Sequence, residues 1–67
     1  MADEDKKIHE MSIDEMHNRL DDAREELMKL RIQQATGGLT DYNRLRFTRR
    51  QIARLLTGIH EREQALN

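Results

Sequence analysis

Apolar side chains recur along the first half of the chain at Ile13, Met16, Leu20, Ala23, Leu27 and Leu30. Steps of three and four residues hold them on one narrow stripe of a helix turning 100° per residue. A second stripe runs through Leu45, Ile52, Leu55, Leu56 and Ile59, with Leu66 as its extension. The pattern predicts helices over 13–36 and 41–65, each about 24 residues and ~36 Å long.

The ends of both helices carry matching signals. Ser12 and Glu15 stand at capping-box spacing, with Met11 and Met16 placed as a hydrophobic staple around them. Asp14 and Glu15 suit the positive end of the helix dipole. After the first stripe comes "QATGGL", where Gly37 or Gly38 can take the left-handed conformation that closes a helix. At least one of the two should have positive φ. Thr40 or Asp41 then caps the second helix. Gly58 falls inside that helix at a cost of ~1 kcal/mol relative to Ala, which predicts looser last turns.

A joint of a few residues between long helices predicts an all-α fold, a long antiparallel two-helix hairpin. Its seam is expected to hold Leu20, Leu27, Leu30, Leu45, Ile52 and Ile59. Residues 1–11 are left open between a flexible segment and a short helical turn. Near-heptad spacing also permits a dimeric coiled coil, although the double glycine would break a long parallel rod.

The chain has 67 residues, without Cys or Trp and with one Phe and one Tyr, enough for one helical-hairpin domain. So thin a seam is marginal unless something else covers it. No disulfide framework or thiolate metal site can compensate. The opening "MADEDKKIHE" has charges where a signal peptide needs an apolar run, and no segment reaches the ~18 apolar residues of a membrane span. A soluble intracellular protein is expected.

Charge changes the picture more. The net charge of −1 hides two surfaces: residues 1–30 carry five basic and ten acidic side chains, residues 31–67 seven and three. Five arginines stand within "NRLRFTRRQIARLL", residues 43–56, with no Asp or Glu among them. With Leu45, Ile52 and Ile59 on the seam, Arg46, Arg50 and Arg54 fall on nearly the opposite face. Arg49 sits at one flank and Arg44 at the other. No acidic residue stands three or four positions from Arg46, Arg49, Arg50 or Arg54; Arg44 alone has Asp41 within that reach. Such a ridge suits phosphate, because guanidinium stays charged and donates two parallel hydrogen bonds. Pattern alone favours a solvated charged face over polyanion binding, since basic clusters without a motif are common on surfaces. With so few aromatics, backbone contact is favoured over base readout.

Other chemistry is weaker. His9, His17 and His60 lack metal spacing, so no metal site is expected. Asp21–Asp22 and Glu25–Glu26 read as solvated helix residues, and Met11, Met16 and Met28 as packing residues. No nucleophile stands with a base, and no loop cradles phosphate. The chain reads as a non-enzyme without cofactor or small-molecule substrate. Two other classes remain: a coiled-coil adaptor binding a protein through its Leu/Ile seam, and a membrane-surface helix. The arginine helix offers no aromatic wedge for the latter, so no membrane partner is expected.

The stretches "LR-x-Q-x-ATG" at residues 30–37 and "N-R-x-R-x-x-RR-x-IAR" at 43–54, with "IHEMSIDEM" before them, carry a family resemblance. Over residues 8–66 the chain resembles the bacterial large-subunit ribosomal protein twenty-nine family. The resemblance implies a helical hairpin bound to large-subunit ribosomal RNA near the peptide exit tunnel. It also implies a neighbour, the twenty-third protein of that subunit, a cytoplasmic location in the ribosome, and no catalysis. The matching positions for RNA contact are Arg46, Arg49, Arg50 and Arg54, with Gln34, Thr36 and Asn43 near the corner. The chain departs from the family in its pI of about 6.3. Ile32 stands where an aromatic is common, and Gly38 where a polar side chain is common.

Overall fold

The computed structural model describes residues 3–66, with side chains described for residues 7–65. Three helices follow one another: α1 (Asp3–Glu10), α2 (Ile13–Ala35) and α3 (Tyr42–Leu66). No strand occurs among the described residues.

Each end of α2 is closed by the residues that chemistry requires there. Ser12 sits in extended conformation and its Oγ accepts the Glu15 amide at 3.2 Å. Half of the capping box forms: among the described residues the Glu15 carboxylate makes no return bond to the Ser12 amide. Met11 packs half-buried on the cluster containing Met16, as a staple requires. At the other end Gly37 has φ +80°, the only positive φ among the described residues. The amides of Gly37, Gly38 and Leu39 then turn back onto the carbonyls of Gln34, Gln33 and Gln33. That reversal satisfies the orphan carbonyls of the last helical turn. α2 therefore ends at Ala35, with Thr36 as its cap, and α3 begins at Tyr42, one residue from each expected boundary. Asp41, the cap of α3, accepts the amides of Asn43 and Arg44 at 3.1 and 3.3 Å.

Cross-helix pairs establish the antiparallel direction. Glu26 meets Arg44 near the corner, while His17 meets Glu63 far from it. The seam divides into two clusters. Leu30, Leu39 and Leu45 are buried at the corner, with Leu27 packed against them. Ile8, Met16, Leu20, Leu55 and Ile59 are buried at the open end, with Met11 and Ile52 alongside. Thr48 is buried on α3 at a position between the two, its hydroxyl donating to the Arg44 carbonyl at 2.9 Å.

Three expectations need correction. Met28, expected to pack, faces outward from α2 and is 58% exposed. Leu56 leaves the stripe and is 44% exposed, because the α3 seam turns toward Leu55 and Ile59 to meet α1 as well as α2. Gly58 is no weak point: it is buried, and a Cβ there would stand 2.9 Å from Ile8 Cγ2. The missing side chain lets α1 lie on α3. α1 has eight residues, too few to persist alone. It is held by Ile8 in that socket and by Arg62 Nη2, which donates to the His9 carbonyl at 2.9 Å. A cation there also suits the negative end of α1. Leu66, offered as an extension of the stripe, has a side chain outside the described ones. The molecule measures 45 × 22 × 14 Å, so almost every residue lies near a surface.

Candidate nucleic-acid interface

The ridge residues take their positions from the seam. Leu45 and Ile59 are buried and Ile52 half-buried, which aims the opposite side of α3 outward. Asn43, Arg46, Arg49 and Arg50 are all exposed. Arg46 and Arg50 stand one turn apart, and residues at that spacing have Cβ atoms about 5–6 Å from each other. Among the described residues no carboxylate pairs with Arg46, Arg49 or Arg50.

The other two arginines of the run differ. Arg44 leans back over the seam and its Nε donates to Glu26 Oε1 at 2.7 Å. That hydrogen bond, then the charge of Glu26, raise the Arg44 pKa above its ordinary value. Stability from a raised pKa is present below the unfolded value and lost only above it, here beyond the range of ordinary solutions. Arg44 is thus an exposed residue that bridges α3 to α2, with its charge answered by Glu26. Its partner is 18 residues away in sequence, so helix spacing alone gave no sign of the pair. Arg54 continues the ridge but is half-buried, beside a shallow groove lined also by Ile8, His9, Gly58 and Glu61.

The corner residues are less uniform. Gln34 is exposed on the last turn of α2. The Thr36 hydroxyl is turned inward onto the carbonyls of Ile32 and Gln33, at 3.1 and 3.2 Å, so its first duty is closing the helix. Asn43 is exposed in the first turn of α3, its amide bound to Asp41. The fold thus groups Asn43, Arg46, Arg49, Arg50 and Arg54 along one helix, with Gln34 and Thr36 on the other side of the turn.

Sequence spacing missed the surroundings of Phe47. It is 51% exposed, on the side of α3 between the ridge and a groove of about 530 Å³. A second exposed apolar strip, Met28 and Ile32, lies on α2 with Arg24 and Arg31 beside it. Among the described residues no group of His, Asp or Glu could hold a metal ion, and no helix is long and apolar enough to cross a membrane.

The family model and the sequence relatives point the same way. The family model described as Ribosomal L29 protein matches residues 6–62. The large ribosomal subunit protein uL29 of Corynebacterium efficiens is 49% identical over 61 residues, covering 91% of this chain and 80% of that protein. Those of Corynebacterium diphtheriae and Mycobacterium avium are 48% and 47% identical, covering 91% and 90% of this chain and 80% and 78% of theirs. No solved structure matches. A family match across both long helices, with relatives near half identity over most of the chain, shows that the chain belongs to the ribosomal L29 protein family.

Proposed function

We propose that the protein is a structural constituent of the large ribosomal subunit, binding ribosomal RNA through the α3 ridge of Arg46, Arg49, Arg50 and Arg54. The observation that carries the RNA contact is the row of exposed Arg46, Arg49 and Arg50, none paired with a carboxylate among the described residues. Arginines left to water on a chain of net charge −1 suit a polyanion, and RNA offers regularly spaced phosphates. Gln34, Thr36 and Asn43 extend the contact around the corner. The place in the particle is near the peptide exit tunnel, beside the twenty-third protein of the subunit. Large-subunit membership rests on the names of the relatives, and the finer position on the family resemblance. The exposed Met28–Ile32 strip is a surface that a neighbouring protein would cover. The adaptor reading has less support, since the Leu/Ile stripes are already packed on each other and on α1.

Binding by phosphate neutralisation releases counterions, with a log–log salt slope of roughly −0.7 to −0.9 per contact. Affinity for transcripts of large-subunit ribosomal RNA should be measured across a salt series for wild type, Arg50→Lys and Arg50→Ala. Arg50→Ala should flatten the slope by about one unit. Arg50→Lys should keep the slope and lose less affinity, having charge without the bidentate fork. Equal affinity and a common slope for all three would remove Arg50 from the interface.

A further inference from the structure

Phe47 is the only phenylalanine of the chain, and half of it faces solvent. It stands one turn from Arg50 on one side and lines the groove between the helices on the other. The floor of that groove is apolar, with Ile8, Ala23 and Leu55. Around the rim lie Lys7, Arg19, Gln51 and the exposed Asp22, while the acidic Glu26 there is already paired with Arg44 at 2.7 Å. An apolar slot with a flat ring at its lip, and Lys7 and Arg19 against Asp22 on its rim, fits a planar group attached to an anion.

We infer that this groove takes one unpaired nucleotide of the bound RNA: its base stacks on Phe47 with an edge toward Gln51, and its phosphate lies on Arg50. The inference rests on the ridge reading and deepens it, since phosphate contacts position an RNA without reading it. The spacing is suitable, because Phe47 and Arg50 are three residues apart on one helix face, where side chains are neighbours. The nucleotide must be unpaired, because a base inside a duplex has both faces covered by its stack. Gln51 is half-buried one turn from Phe47, and its amide offers both a donor and an acceptor to a base edge. Stacking favours a nucleotide over an acidic peptide: either anion could meet Lys7 and Arg19, but only a base uses the flat ring of Phe47.

The test compares Phe47→Trp, Phe47→Leu, Phe47→Ala and Arg50→Ala with wild type, on the same transcripts and salt series, with helix content checked by circular dichroism. Leucine keeps the apolar contact and loses the flat face. Phe47→Leu and Phe47→Ala should weaken binding on the order of tenfold at every salt concentration, with the wild-type slope. Phe47→Trp should bind as wild type. Arg50→Ala alone should flatten the slope. If the Leu and Ala variants bind like wild type while Arg50→Ala still flattens the slope, stacking is overturned and the ridge reading stands. If wild type itself shows no salt-dependent binding, the ridge reading falls and the nucleotide site with it. A second arm places p-azidophenylalanine at position 47 in cells and irradiates the purified ribosomes. An adduct on a ribosomal RNA nucleotide supports the site; an adduct on a neighbouring protein alone overturns it.

Discussion

The two ends of the hairpin solve one problem in different ways. Both must keep water out of a seam only two helices wide. At the corner, the chain folds back after Gly37 and Leu39 closes over Leu30 and Leu45. That lid is local, held by backbone bonds within seven residues, from Gln33 to Leu39. At the open end no turn joins α2 to α3. There α1 lays Ile8 across Gly58 and Met16, far along the sequence from the α3 surface that receives it. The corner is therefore closed by conformation and the open end by packing. Substitutions that attack conformation should hurt the first, and substitutions that attack space should hurt the second.

The largest effect is expected from charge placed in the open-end cluster. Met16 is 1% exposed, the most completely buried large side chain described, and it touches the region that α1, α2 and α3 share. Met16→Asp would leave an unpaired carboxylate there, at a cost of several kcal/mol. That is enough to unfold a hairpin of this size. Met16→Leu, close in volume, should cost less than about 1.5 kcal/mol. Circular dichroism of the free protein and incorporation into ribosomes would both report the difference. A Met16→Asp protein with wild-type helix content would show that the open-end cluster is not needed to hold the helices.

The two glycines give the next test. Alanine at Gly37 meets nothing within 4 Å, yet the backbone there has φ +80°. Gly37→Ala should therefore cost about 1–2 kcal/mol whatever surrounds it. Alanine at Gly58 suits the helical backbone, and helix propensity alone would favour it by ~1 kcal/mol. Its Cβ would meet Ile8 Cγ2 at 2.9 Å, so overpacking of about 1–3 kcal/mol should win and lift α1. The double-mutant cycle with Ile8→Ala separates the cases. In that background Gly58→Ala should become stabilising, while Gly37→Ala should cost as much as before. Urea unfolding of wild type, the single variants and the double variants measures the coupling. Equal coupling of both glycines to Ile8 would dissolve the distinction between the ends.

Much of this is legible in the order of the residues, and the limits are instructive. Stripes of period near 3.6, the Ser12 cap and the glycine pair are local signals, and they locate α2, α3 and the turn. Ile8 is not legible from spacing: α1 is too short to show a period, and only its contact with Gly58 gives it a purpose. The same contact reverses the meaning of Gly58, which propensity alone marks as a flaw. Leu56 fits the stripe by spacing and still faces water, because a third helix shifts the buried side of α3. On the ridge, the outward direction of Arg46 and Arg50 follows from the seam. The pairing of Arg44 with Glu26 and the half-burial of Arg54 depend on neighbours from other helices. Thr48 is the subtlest case, a polar residue at a seam position where the apolar stripe skips a turn.

Thr48 also offers the smallest and sharpest test of the two-cluster seam. It is 5% exposed, on α3 between Leu45 of the corner cluster and Ile52 beside the open-end cluster. Its hydroxyl donates to the Arg44 carbonyl four residues back, at 2.9 Å. That bond is intrahelical and adds little, since the same carbonyl is the normal partner of the residue 48 amide. Thr48→Val keeps the β-branched shape, removes the hydroxyl and puts a methyl group on the seam. Burying one more apolar group while leaving no donor unsatisfied should raise stability by up to about 1 kcal/mol. The gain should appear as a higher urea midpoint with an unchanged slope, because the surface exposed on unfolding barely differs. It should also couple the ends: the cost of Leu45→Ala measured alone and with Ile59→Ala should depart from additivity more in the Thr48→Val background than in wild type. A drop of about 1 kcal/mol or more on Thr48→Val would mean that the hydroxyl holds the seam in register. The clusters would then be separated by a needed polar contact rather than by a gap in the apolar stripe.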